Sequence, residues 1–261
     1  MSARARLRRL FSAALVAALV IGVGVAPIGV AGAVDVGKKP AKKIRLKKNQ
    51  AWVAADWNDR ALRSIAIAPL RSVERKPEAE AIARRMLENA LAERPYKYLG
   101  SGSIMEAVKR GGIEEAYAAA GAAFGREEPL DSVTARALRE RLQTDGFLFT
   151  NITTWQRSIV DENTRGASFT QVGVDVALYA LADGAIVWQG SFQEKGDGPY
   201  NEPRMREGGD ARDPGSNTVG RSGSLEPPTF EEVVDKLMIR VAAALPKPAP
   251  VVPPPAAGTD D

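Results

Sequence analysis

The residues that could do chemistry are quickly counted, because the chain has no histidine and no cysteine among its 261 residues. A Ser-His-Asp or Cys-His site is thereby excluded, and so is a zinc site of the usual His/Cys type. Carboxylate pairs remain as a source of general acid and base. The doublets Glu114-Glu115, Glu127-Glu128 and Glu231-Glu232 fall near expected helix starts, where negative charge favours the helix dipole. That supportive role accounts for them better than catalysis does. Asp161-Glu162-Asn163 carries oxygen ligands but lacks the regular spacing of a calcium loop. Gly100-Ser-Gly-Ser103 suggests a phosphate cradle, yet Met105 replaces the third glycine of a dinucleotide fingerprint and no Gly-Lys-Ser/Thr follows. It reads as a strand-to-helix turn. The expectation is a non-enzyme with no cofactor and no metal.

Two further groups of residues are candidates for binding. Lys38, Lys39, Lys42, Lys43, Arg45, Lys47 and Lys48 stand against Asp35 alone in the stretch 34–51. Such a run is usually a solvated tail; its sharper reading is an electrostatic tether to an anionic membrane surface or an acidic partner. Trp52 and Trp57 flank it, as a partner-contact patch or as a cover for the sheet edge.

Compartment follows from the first 33 residues. A basic start (Arg4, Arg6, Arg8, Arg9), an apolar run Leu10–Val25 and Ala31-Gly32-Ala33 have the form of a cleaved secretory signal. An uncleaved membrane anchor is the alternative. Without those four arginines, basic and acidic residues balance at 32 each, so nucleic acid is not an expected partner. The predicted location is the periplasm.

The elements that must position any site are read from periodicity. Ser64–Leu70 is a nearly continuous apolar strand, Pro77–Arg94 a helix and Tyr96–Leu99 a second strand. A short helix, Ile104–Arg110, capped by Ser103, comes next, then a helix Ile113–Phe124. A helix capped by Asp131 or Ser132, with Val133, Ala137, Leu138 and Leu142 buried, stops at Gly146. The strand Phe147–Trp155 and the polar stretch Gln156–Ala167 lead to a hairpin, Phe169–Gln193. Glu194–Pro228 reads as a mobile loop, and Thr229 with Glu232 forms a capping box for a final helix.

The hairpin admits a register argument. A two-residue loop would set Leu178 against Gln189 and Val176 against Ser191. A three-residue loop, Ala182–Gly184, pairs Ala180 with Ile186, Leu178 with Trp188 and Val174 with Phe192, and is preferred. It calls for Gly184 at positive φ beside a bulge. Ile186, Trp188 and Phe192 then share the core face, with Tyr179 on the opposite one.

The expected organisation is a signal peptide over 1–33, a basic tail over 34–51, one domain over 52–245 with its loop at 194–228, and a proline-rich tail over 246–261. The fold class is α/β: a mixed sheet of about five strands, parallel early and antiparallel at the hairpin, with helices packed on it.

The order of Ile65-Ala-Ile-Ala-Pro-Leu70, the helix bearing Ile82, Met86 and Leu91, Leu142-x-x-x-Gly146-Phe-Leu-Phe149, and Val174–Trp188 before a final amphipathic helix carries a resemblance. It resembles the periplasmic α/β domain of curli secretion-channel lipoproteins, penicillin-binding-protein activator lipoproteins and the TolB amino-terminal domain. That resemblance implies a scaffold or adaptor that contacts other envelope proteins, often as an oligomer. It carries over no functional residues. The chain departs from it in lacking a lipidated cysteine and in having segments too polar for membrane-spanning hairpins. A periplasmic binding module for a glycan or small anion, using the Gly100–Ser103 turn, is the alternative.

Overall fold

The computed structural model describes residues 46–160, 165–201 and 226–248. Seven strands form one mixed sheet in the order β1-β7-β6-β5-β2-β4, with β3 paired to β5. They are β1 (Gln50–Val53), β2 (Ser64–Ile67), β3 (Arg71–Ser72), β4 (Lys97–Leu99), β5 (Gly146–Ser158), β6 (Gly166–Ala180) and β7 (Ile186–Asn201). The helices are α1 (Pro77–Ala92), α2 (Ser101–Gly111), α3 (Glu114–Arg126), α4 (Ser132–Leu142) and α5 (Phe230–Ala244). β2 runs parallel to β4 and β5, whereas β5, β6 and β7 are antiparallel. The two strands beyond the expected five are β1 at one edge and the two-residue β3, too short to show a period.

Two apolar layers sandwich the sheet. On one face α1 and α5 pack Leu87, Leu91, Leu237 and Met238 against Leu148, Val174, Val176, Leu178 and Trp188. On the other, α2, α3 and α4 pack Ile104, Ala120 and Leu138 against Phe147, Phe149, Ala177 and Tyr179. Tyr179 is fully buried there, as its position opposite Leu178 predicts.

The hairpin keeps the expected pairs Leu178 with Trp188 and Val174 with Phe192, but its end differs. Tyr179, not Ala180, lies opposite Ile186. Ala180 and Ala185 instead close a four-residue connection, with the Gly184 N–H donating to the Ala180 carbonyl at 2.8 Å. The bulge falls in β7, at Val187. The extra residue flips the alternation, so Val187 and Trp188 both enter the α1/α5 core while Ile186 packs on the opposite layer. Gly184 does take positive φ, +78°. Asp183 at the tip accepts two bonds from Arg60 Nη1, at 2.8 and 2.9 Å, anchoring the turn to the 3-10 segment Trp57–Arg60.

Other boundaries moved for local reasons. The helix expected from Ile104 begins three residues earlier, at Ser101, with Gly100 and not Ser103 as its cap residue. Asp131 caps α4, accepting from Val133 N and Thr134 N, but Val133 is 74% exposed and not part of the buried stripe. That helix ends at Leu142 with Gln143 in the left-handed region; Gly146 opens β5 and is no helix stop. The expected loop 194–228 is strand as far as Asn201, because β6 is long enough to pair with it. Likewise Gln156–Ser158 and Gly166-Ala167 belong to strands, not to a connecting stretch. Gly196 and Gly198 make room where Glu226–Pro228 crosses β7. Thr229 and Glu232 form the expected capping box.

Two polar clamps join the elements, one within the sheet and one at the end of α5. Asp145 Oδ2 accepts from Arg63 N, Ser64 N and Ser64 Oγ at 3.0, 3.0 and 2.8 Å, tying the start of β5 to that of β2. Desolvation raises its pKa, but the bonds from Ser64 and the backbone outweigh it and hold the carboxyl below its ordinary range. The stabilisation is therefore present above about pH 4, the unfolded value, and is lost as pH falls through the lower folded one. Asp145→Ala should lower stability by about 1–2 kcal/mol at pH 7. Urea titrations should show this deficit shrinking below about pH 4; a deficit independent of pH would assign the effect to packing.

The second clamp holds the end of α5. Trp188 Nε1, Arg94 Nη2, Tyr96 Oη and Trp57 Nε1 donate to the carbonyls of Ala244, Leu245, Pro246 and Lys247, at 3.1, 2.5, 2.6 and 3.1 Å. Helix ends leave such carbonyls without intrahelical donors, and here the core supplies them.

Candidate functional site

The residues singled out in the sequence do not converge. Lys38, Lys39, Lys42, Lys43 and Arg45 lie outside the described residues, as does Asp161-Glu162-Asn163. Lys47 and Lys48 are exposed in the turn before β1. Trp52 is half-buried on that edge strand, but Trp57 is only 5% exposed and belongs to the core. The partner-contact reading therefore fails for Trp57, whose ring and N–H are both used internally.

The Gly100–Ser103 turn is also engaged. Glu88 Oε1 accepts from Ser101 N at 3.1 Å and from Ser101 Oγ at 2.9 Å. The strand-to-helix turn is thus capped by a carboxylate of the chain itself, at the α2 N-terminus where the alternative reading places a small anion. Glu114-Glu115 and Glu231-Glu232 do occupy first helical turns. Glu127-Glu128 does not: Glu127 follows the C-terminus of α3 at φ +56°, where the helix dipole disfavours negative charge. Helix support cannot explain that doublet.

Glu127 belongs to a cleft that no sequence motif marked. Asn151 on β5, Asp175 on β6 and Ser191 on β7 are directly opposite one another, making one row across three strands. Gln189, Phe124, Gly125, Glu127 and Leu46 also line this space of about 380 Å³. The cause is the length of the helix layer. On this face β6 presents Tyr179 and Ala177 beneath helices, then Asp175 beyond the end of α3 at Arg126. Polarity on the strand changes where the cover stops. The signal was present as Asp175 between Val174 and Val176, on the face opposite the valines.

The side chains of Glu127, Asn151, Asp175, Gln189 and Ser191 make no hydrogen bond with other described residues. Arg71, opposite Asn151 on β3, lies instead over Tyr117, 6.0 Å from the ring centre, and against Gly121. The cleft thus offers two carboxylates, two amides and a hydroxyl around the edge of Phe124. It can accept hydrogen bonds and attract a cation. No group of three or more potential metal ligands occurs among the described residues.

Past the cleft the same sheet face continues without helices. Thr154, Gln156 and Ser158 on β5, Gln171 and Phe169 on β6, and Gln193, Lys195 and Asp197 on β7 form a half-exposed to exposed platform. Its reverse side is covered by Phe230, stacked on Trp155 at 4.3 Å, and by Pro228, whose carbonyl accepts from Thr170 Oγ1 at 2.6 Å. No described helix is long and apolar enough to cross a membrane.

No family model and no curated protein sequence matches this chain. Solved structures do. A lipoprotein from Neisseria meningitidis is similar at 17% identity and a TM-score of 0.39, over 52% of this chain and 83% of that one. The PelC dodecamer from Paraburkholderia phytofirmans is similar at 13% identity and 0.35, over 73% and 91%. The LpoB carboxy-terminal domain from Salmonella enterica is similar at 14% identity and 0.31, over 51% and 82%. Proteins described as lipoproteins are among these structural neighbours.

Proposed function

We propose that this chain is an exported, non-enzymatic envelope protein that acts as a scaffold or adaptor through protein–protein contacts. The observation that carries the reading is the platform of β5, β6 and β7. It is a three-stranded polar face, packed on its reverse and free of helical cover among the described residues. Gln156, Gln171 and Lys195 lie in one row across it. Amide and charged side chains on paired strands suit a partner surface, since the backbone that carries them is already ordered before binding. The leader pattern and the resemblance drawn from the sequence support the envelope setting.

Site-specific photocrosslinking tests it. A photoreactive residue at Gln171 or Gln156 should capture a defined envelope protein in intact cells, and one at exposed Arg84 on α1 should not. Equal or absent adducts at all three positions would reject the platform as the contact surface.

A further inference from the structure

We propose that the cleft of Glu127, Asn151, Asp175 and Ser191 is the docking site of an extended basic segment, and that its occupant is Lys42-Lys43-Ile44-Arg45 of the same chain. The first argument is connectivity. Leu46, the first described residue, lines the cleft, and the basic segment is joined to it directly in sequence. A segment tethered there has a high effective concentration at the site, and a short link costs little entropy to close.

Charge complementarity is the second argument. Among the described residues the cleft contributes Glu127 and Asp175 and no cation; Arg71, on the neighbouring β3, is turned onto Tyr117 and Gly121. The segment contributes Lys42, Lys43 and Arg45 and no acid. A guanidinium fork suits the carboxylate of Asp175 beside the amide oxygen of Asn151, while the ring edge of Phe124 can carry an aliphatic stem. The third argument is room. A Cβ on Gly125 would meet nothing within 4 Å, so the wall formed by α3 leaves space there for a bound segment.

The contact makes the cleft and any outside anionic surface competitors for the same three cations. It goes beyond the adaptor reading and holds whether or not that reading does.

Trypsin reads the contact directly, since it cuts after each of these cations. In the full chain, dilute and at low ionic strength, cleavage after Lys42, Lys43 and Arg45 should be about fivefold or more slower than in the E127Q/D175N double variant. Cleavage after Lys38 serves as the internal reference. Gly125→Leu, which retains both carboxylates and fills that space, should release the same bonds. Salt should abolish the difference between wild type and double variant. Equal rates in all three proteins would overturn the proposal. Protection that grows with protein concentration would overturn it too, by assigning the occupant to a second copy.

Discussion

Gly184→Ala is expected to be among the most destabilising single substitutions in the chain, costing about 2–5 kcal/mol. Two costs add. At φ +78° an L-residue is strained, and a Cβ placed there would stand 2.3 Å from the Leu130 carbonyl oxygen, which is backbone and cannot rotate away. The Gly184 carbonyl also accepts from Leu130 N at 2.8 Å, so the turn cannot retreat without losing that bond. Gly112→Ala separates the terms: φ is +63° there, yet nothing lies within 4 Å, so only strain of about 1–2 kcal/mol applies. Urea unfolding of both variants gives the comparison. Equal losses would mean that the contact with Leu130 contributes nothing.

Trp188→Ala is the second large effect, at about 3–5 kcal/mol. The ring is 1% exposed between the sheet and α5, and its Nε1–H satisfies the Ala244 carbonyl at the end of that helix. Trp188→Phe retains most of the ring volume but leaves the carbonyl without its donor, costing about 1–3 kcal/mol. The expected order is therefore alanine well below phenylalanine, itself below wild type, in both denaturant midpoint and Tm. If phenylalanine proved as damaging as alanine, the hydrogen bond and not the packing would dominate. A phenylalanine variant at wild-type stability would mean that water replaces the indole donor.

Much of the α/β framework could be read from the linear pattern because burial is periodic. Val172, Val174, Val176 and Leu178 alternate with residues of the other face, and the α5 stripe Val233, Val234, Leu237, Met238 and Val241 enters one core. Capping chemistry is equally local, and Thr229 with Glu232 and Asp131 with Thr134 behave as their types require. The two main hairpin pairs were legible for the same reason: shifting by one residue would have put Leu178 against a glutamine.

Where the reading moved, a distant partner was the cause. Trp57 stands beside a charged run, but Lys247, beyond the end of α5, supplies its N–H with a carbonyl 190 positions away. Glu194–Asn201 is too polar and glycine-rich to look like a strand; β6 pairs with it nonetheless and the segment Glu226–Pro228 crosses it. Val187 entered the core through a bulge that alternation does not announce. The Gly100–Ser103 turn kept its place before a helix, but Glu88 from another helix took its donors.

Composition alone determined that histidine and thiol chemistry are absent, because a side chain that is not encoded cannot be assembled by folding. Periodicity alone determined the layered sheet, because apolar faces must be buried against one another. Only the tertiary structure decided where polar groups meet. Asn151, Asp175 and Ser191 are separated along the chain and lie on strands that also carry core residues, so nothing local marks them as a set. They form a row because strand pairing aligns them, and a cleft because α3 ends at Arg126, leaving that part of the sheet uncovered.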